Sequence, residues 1–186
     1  TRGRTRSRRW RCTAATAGYC TSINGADCIG GGLTGATTQQ ACIAGTWSDA
    51  SSNTCDSCGT GYTTDNATDG AGVSAQVACI CNAGYGRADD TTACLQCSSG
   101  KFKGTTGDAT CTNAAAGKFT ADAGGNLVNI EATKEICCVL GWYSAGAVYQ
   151  CTEAISGSFA ALANGDDSTT CATQSILCPA GKWSDD

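Results

Sequence analysis

The chain contains no histidine and no methionine. Without histidine, Ser-His and Cys-His catalytic devices are excluded, and zinc would have no imidazole ligand. Without methionine, the N-terminus is expected to be processed or incomplete. Aromatics are scarce, at three Phe, five Tyr and four Trp in 186 residues, while Gly, Ala, Thr and Ser dominate. Few side chains are therefore large enough to build one thick core. No apolar run approaches the roughly 20 residues that span a bilayer. Neither a signal peptide nor a GPI-type tail is read. If the protein sits on a membrane, its anchor is expected outside this sequence or on a partner.

What is abundant is cysteine, 16 residues and an even number. At that density cysteine marks a disulfide scaffold. Small units of this kind are held by cross-links that restrict the unfolded chain, each worth roughly 2–4 kcal/mol. Disulfides in such number require an oxidising compartment. The expected location is extracellular, secreted or at the cell surface.

The cysteines follow a grammar. Cys42 to Tyr62 reads CIAGTWSDASSNTCDSCGTGY, a Cys, then Ala-Gly, an aromatic, Ser-Asp, a polar run, Cys-x-x-Cys and Gly-Tyr. Cys81 opens CNAGYGRADD and runs to Cys94-Leu95-Gln96-Cys97; Cys138 opens CVLGWYSAG and runs to Cys151; Cys178 opens CPAGKWSDD. In three copies 12 residues separate the first pair: Cys42 and Cys55, Cys81 and Cys94, Cys138 and Cys151. Gly45, Gly61, Gly84, Gly100, Gly117, Gly141, Gly157 and Gly181 each stand one or two places before an aromatic, in steps of 16, 23, 16, 17, 24, 16 and 24. Paired steps sum to 39 or 40 residues, a period typical of arrays in which each unit touches only its neighbours.

This divides the chain into a basic arm (1–11), an atypical N-terminal cysteine-rich unit (12–41), repeat 1 (42–80), repeat 2 with an extra unit (81–137), repeat 3 (138–177) and the start of a fourth (178–186). The expected fold is small and disulfide-rich: short, irregular β-hairpins in an elongated tandem-repeat rod with little helix. Each repeat should hold two hairpins, with glycine permitting a turn or bulge and the aromatic covering the adjacent disulfide. Residues 126–136 fit helix and strand equally, with Leu127, Ile130 and Lys134 at helical spacing.

Sixteen cysteines allow about two million pairings. The equal loops favour Cys42–Cys55, Cys81–Cys94 and Cys138–Cys151, with adjacent Cys137 and Cys138 going to different partners. Redox activity of Cys55/Cys58 or Cys94/Cys97 needs a βαβ context that is absent. Cys55, Cys58, Cys79 and Cys81 could hold zinc, but disulfides are the expected state. Asp65/Asp69, Asp89/Asp90, Asp166/Asp167 and Asp185/Asp186 could bind calcium weakly, yet none has calcium-loop spacing; solvated turns are expected, and no cofactor. Paired carboxylates could also do glycosidase work, but the chain is not expected to be an enzyme. Gly30-Gly31-Gly32 lacks the Lys-Ser/Thr of a phosphate loop. Asn66-Ala67-Thr68 is an N-glycosylation sequon, so Asn66 is expected to carry a glycan.

Charge is uneven. The formal net charge is −4, yet Arg2, Arg4, Arg6, Arg8, Arg9 and Arg11 crowd a head without an acid, leaving the body acidic. The head reads as a solvated arm, a furin-type site at Arg6-Ser7-Arg8-Arg9, or a docking arm for a polyanion or acidic neighbour. Nucleic acid fits least, because it lies in the wrong compartment.

Cys42–Cys58, Cys81–Cys97 and Cys178–Asp186 carry a C-x-A-G-x-[WY]-S-D … C-x-x-C pattern. It resembles the cysteine-rich repeats of growth-factor-receptor and TNF-receptor type, and looks closest to the immobilisation antigens that coat ciliates. The likeness spans roughly residues 42–186. It implies an extracellular coat protein with no catalytic residues to carry over. The expected function is a secreted structural surface-coat or extracellular filament protein. Head-to-tail self-assembly would set the Arg-rich head against Asp185 and Asp186 of the next copy. The alternative is a receptor-like ectodomain fragment that recognises a protein or a glycan.

Overall fold

The computed structural model describes residues 12–22, 36–64, 79–89, 92–165 and 171–184. Among these there is no helix. Sixteen short strands occur, β1 (Tyr19–Ser22), β2 (Thr38–Ala41), β3 (Thr46–Trp47), β4 (Asp56–Ser57), β5 (Tyr62–Thr64), β6 (Cys79–Cys81), β7 (Tyr85–Gly86), β8 (Leu95–Gln96), β9 (Lys101–Phe102), β10 (Thr112–Asn113), β11 (Lys118–Ala121), β12 (Lys134–Cys137), β13 (Trp142–Tyr143), β14 (Thr152–Glu153), β15 (Ser158–Ala161) and β16 (Gln174–Leu177). They pair consecutively into eight two-stranded sheets. The fold is thus a disulfide-rich series of small hairpins. It forms two compact units: one lies before Gly59 and includes Cys79, the other takes Tyr62–Thr64 and the chain from Ile80.

One turn starts every hairpin. Thr46 N–H donates to the Ile43 carbonyl (3.0 Å), Lys101 N–H to Ser98 (3.0 Å) and Trp142 N–H to Val139 (3.0 Å). The third residue of each turn is a glycine, with φ between 73° and 83° at Gly18, Gly45, Gly61, Gly84, Gly100, Gly117, Gly141, Gly157 and Gly181. The second residue is Ala, Ser, Thr or Leu and keeps negative φ. A single positive φ at the third position defines a type II turn, which selects glycine there. Gly18 belongs to this series. The hairpin it opens has Ala15 where most others have cysteine, so residues 12–41 contain the same turn and hairpin as the rest.

The turn glycine also closes its hairpin. Its carbonyl accepts the N–H that follows the second strand: Cys42 to Gly18 (2.9 Å), Cys58 to Gly45 (2.9 Å), Cys97 to Gly84 (2.8 Å), Ala114 to Gly100 (2.8 Å), Cys138 to Gly117 (2.8 Å), Ala154 to Gly141 (2.8 Å) and Cys178 to Gly157 (2.8 Å). In β5–β6 the donor is Asn82, one residue later (2.9 Å). The residue so held stands just before the next turn, and in most copies it is buried.

Successive hairpins are joined by a second recurring bond. A left-handed residue in one loop donates its N–H to the carbonyl preceding the previous hairpin's turn. In the first unit Ser51 (φ 70°) donates to Ala15 (2.8 Å). In the second unit Gly107 donates to Cys81 (2.8 Å), Glu131 to Cys97 (3.1 Å), Ala147 to Ala114 (2.8 Å) and Cys171 to Cys138 (3.1 Å). Residues 126–136 therefore do not form a helix: Glu131 is left-handed at φ 57°, Leu127 bridges Ala121, and Lys134–Cys137 is strand. Helical i, i+4 bonding is replaced by tertiary docking.

Every buried hydrophobic residue among those described is Cys or Ala. The largest fully buried side chains are threonine, cysteine and serine, led by Thr120, whose hydroxyl donates to the Val128 carbonyl (2.8 Å). Ile43, Leu95, Val139, Leu140, Ile155, Leu177 and Trp183 are exposed. With hairpins this thin, backbones meet directly. A Cβ on Gly84 would lie 2.5 Å from the Glu131 carbonyl oxygen, and one on Gly117 would collide with the Cys171 carbonyl. A Cβ on Gly141 meets nothing.

This contrast is testable by thermal unfolding under non-reducing conditions. Gly141→Ala should cost roughly 1–2 kcal/mol, the penalty of a left-handed non-glycine residue. Gly117→Ala should cost more, because backbone must also move. Equal losses would contradict the packing described.

Candidate functional site

Six disulfides lie among the described residues: Cys42–Cys55, Cys58–Cys79, Cys81–Cys94, Cys97–Cys111, Cys137–Cys171 and Cys138–Cys151. Cys20 is also bonded. The two cysteines of each C-x-x-C have different partners: Cys55 with Cys42 and Cys58 with Cys79, Cys94 with Cys81 and Cys97 with Cys111. Neither motif is a vicinal redox pair. Cys97–Cys111 and the two long closures are not evident from the equal 12-residue gaps. For the former, the cue was the Gly100-Lys101-Phe102 turn after Cys97, which marks one more short hairpin. Cys12 and Cys178 are free thiols.

The charged groups cluster where hairpins meet. Asp108, in the β9–β10 loop, accepts the Cys81 N–H through Oδ1 (3.1 Å) and pairs with Arg87 through Oδ2. Lys103, only 6% exposed, donates through Nζ to the Asn82 carbonyl (3.2 Å). Burial pushes the Lys103 ammonium pKa down, against the pull of the Asp108 charge. Burial pushes the Asp108 carboxyl up, but hydrogen bonds from Arg87 and Cys81, with the charges of Arg87 and Lys103, hold it below its usual value. A second junction joins Tyr85, whose hydroxyl donates to Glu131 Oε1 (2.6 Å), and Gln96, which donates to the same oxygen. The Glu131 bond, then burial, raises the Tyr85 pKa. Within the single β11–β12 hairpin, Glu135 accepts from Lys118 and from the Ala115 N–H of its own turn (2.7 Å). Burial opposes ionisation of Glu135, and these two donors outweigh it.

Cys81, Cys94 and Asp108 bring two sulfurs and a carboxylate within 4.8 Å. Their chemistry does not suit a cation. The sulfurs are bonded to each other and offer no thiolate. Both carboxylate oxygens are engaged by donors, and two positive side chains lie alongside.

The open surface is at the last hairpins. A groove of about 1090 Å3 runs between β13–β14, β15 and the turn after Cys178, bordered by Leu140, Trp142, Ile155, Phe159, Cys178 and Trp183. Ile155 and Trp183 are 71% and 78% exposed. Small-molecule clefts are enclosed and measure roughly 300–1,000 Å3; this one is broad and open.

Arg2, Arg4, Arg6, Arg8, Arg9, Arg11, Asn66, Asp185 and Asp186 lie outside the described residues. Among the described residues, the cysteines are the groups read from the sequence that the structure brings together. What the sequence reading missed is Asp108 with its two cations, the left-handed loop residues, and the groove around Cys178. A scan against protein-family models finds no match to this chain, and a search of curated proteins finds none.

Two outcomes follow. Asp108→Asn should lower the melting temperature at pH 7. The loss should vanish as pH falls below the ordinary Asp value of 3.8, because the lowered carboxyl stabilises the fold only while ionised. A constant gap down to pH 2 would contradict the ion cluster. EDTA should leave the melting temperature unchanged while excess dithiothreitol lowers it sharply, since each closed loop contributes roughly 2–4 kcal/mol.

Proposed function

We propose that this chain is a secreted structural protein of an extracellular coat or filament. The observation that carries this reading is the make-up of its interior. Among the described residues the buried hydrophobic side chains are all Cys or Ala, and six disulfides tie the hairpins where large apolar residues would otherwise pack. Such a fold survives only where thiols are oxidised. Hairpins that touch mainly their sequence neighbours also suit a repeating scaffold.

The resemblance to ciliate surface antigens supports the same class. The ionisable groups support a structural role over an enzymatic one, since among the described residues the buried and ion-paired ones hold a hairpin together or join neighbouring ones. The sequence supports two further features, a glycan on Asn66 and head-to-tail contact between the Arg-rich head and the acidic Asp185-Asp186 tail. Heterologous contacts of that kind grow into open filaments when the rotation does not close.

Electron microscopy of a Cys12→Ser/Cys178→Ser variant, which associates only non-covalently, tests the reading. Filaments are expected at about 0.05 M salt and monomers at about 1 M, where screening shortens to roughly 3 Å. Monomers at every salt concentration would refute self-assembly. Capture of one partner without self-association would favour the receptor-like alternative.

A further inference from the structure

We propose that Cys137–Cys171 is a thiol-exchange site: an external thiol reductant opens this disulfide first, and so loosens the joint between the β13–β14 and β15–β16 hairpins while the short loops stay closed. Such a site is a property of the joint, whatever the chain assembles into.

One set of contacts makes this kind of joint. Cys171, left-handed at φ 58°, donates its N–H to the Cys138 carbonyl (3.1 Å). Ser144 N–H reaches the carbonyl of the buried Ala172 (3.0 Å), and Tyr143 bridges Ala172 in parallel. Two hairpins earlier the same set recurs around Glu131, left-handed at φ 57°. Glu131 N–H reaches Cys97 (3.1 Å), Lys103 N–H reaches the buried Ala132 (3.0 Å), and Phe102 bridges Ala132 in parallel.

The two joints differ in what closes them. Cys171 is bonded to Cys137, the residue before Cys138. Glu131 meets Gln96, the residue before Cys97, and takes its amide and the Tyr85 hydroxyl (2.6 Å) on one carboxylate oxygen. Gln96 and Glu131 thus stand where Cys137 and Cys171 stand. At a third joint Ala147, left-handed at φ 53°, docks on the Ala114 carbonyl (2.8 Å) with only a methyl group. Backbone docking therefore forms without a disulfide, and Cys137–Cys171 is a closure added to it. The short-loop disulfides Cys42–Cys55, Cys81–Cys94, Cys97–Cys111 and Cys138–Cys151 each lie inside one hairpin.

Access points to the same pair. Both Cys137 and Cys171 are half-buried. Each of the other five described disulfides has at least one buried cysteine, from Cys42, Cys79, Cys81, Cys94, Cys97 and Cys138. Exchange needs a thiolate to reach a sulfur, and exposed disulfides are the labile ones. Once open, Cys137 and Cys171 are 34 residues apart and meet again only through hairpin stacking, whereas Cys138 and Cys151 stay 13 apart in one loop. Closing the longer loop costs more chain entropy. Opening also frees Cys171 from a left-handed backbone that disfavours any side chain.

The reductant is a thiol such as glutathione. Its thiolate attacks one sulfur, forms a mixed disulfide and releases the other cysteine, which takes a proton. A second thiolate attacks the mixed disulfide. Two electrons have then passed to the protein, Cys137 and Cys171 are thiols, and the reductant has become its own disulfide.

Graded reduction of the whole protein tests this. Thiols already free are blocked with iodoacetamide. The protein is then equilibrated in glutathione buffers of increasing reduced fraction, and new thiols are labelled with N-ethylmaleimide and mapped by mass spectrometry. Cys137 and Cys171 should be labelled together in a buffer on the order of ten-fold less reducing than any other described pair needs. Amide exchange at Ser144 should then accelerate on the order of ten-fold, with Lys103 unchanged. Opening of Cys42–Cys55 or Cys138–Cys151 at the same buffer or an earlier one would overturn the proposal, as would opening that leaves Ser144 protected. A Cys137→Gln/Cys171→Glu variant, copying Gln96 and Glu131, should keep Ser144 protected in those same buffers. A Cys137→Ser/Cys171→Ser variant should show the fast exchange of reduced wild type without any reductant; full protection there would show that the disulfide does not hold the joint.

Discussion

Everything in this fold hangs on the carbonyl of the turn glycine. A left-handed glycine turns its carbonyl back across its hairpin, where it takes the N–H following the second strand. That bond fixes the next residue, usually a cysteine, at a buried point just before the following turn. The sulfur then reaches a partner across the short loop at an ordinary Cα–Cα distance. The disulfide completes a geometry that the turn has already imposed. The same position accepts alanine at Ala15 and Ala114, both buried, and at the half-buried Ala154 without breaking the pattern.

Stacking follows from the same constraint. With Ala and Cys as the only buried hydrophobic residues described, nothing large separates the hairpins, so backbone docks on backbone. The left-handed loop residues Ser51, Glu131, Ala147 and Cys171 provide the docking N–H groups. Charged side chains seal the joints, as Asp108 does between Arg87 and Lys103. Large apolar side chains are left on the surface, where the groove beside Trp183 and Ile155 collects several of them. An interior of this kind tolerates neither reduction nor added bulk at close-packed glycines such as Gly84, Gly100 and Gly117.

The sequence was legible where local geometry decides. The Cys-x-x-Gly turns could be read because only glycine suits the third position of a type II turn. Short loops could be read from their equal gaps, except around Cys97, where one added residue hid the Cys97–Cys111 closure. The long closures, Cys58–Cys79 and Cys137–Cys171, span 21 and 34 residues and are set by hairpin stacking, which leaves no fixed spacing. Leu127, Ile130 and Lys134 have helical spacing, but a left-handed Glu131 held by Cys97 and Tyr85 overrides it. The hairpin at Gly18 escaped notice because Ala15 stands where a cysteine would have announced it. Candidate site residues were the least legible, since Asp108 is one acid among many until folding places Arg87 and Lys103 beside it.

The central claim is that sulfur is consumed locally, hairpin by hairpin, in a pattern set by the turns. Peptide mapping of the protein under non-reducing, acid-quenched conditions tests it most directly. The account predicts Cys42–Cys55, Cys58–Cys79, Cys81–Cys94, Cys97–Cys111, Cys137–Cys171 and Cys138–Cys151 as the peptides recovered. Recovery of Cys55–Cys58 or Cys94–Cys97 as vicinal pairs, or of these cysteines as free thiols, would contradict it.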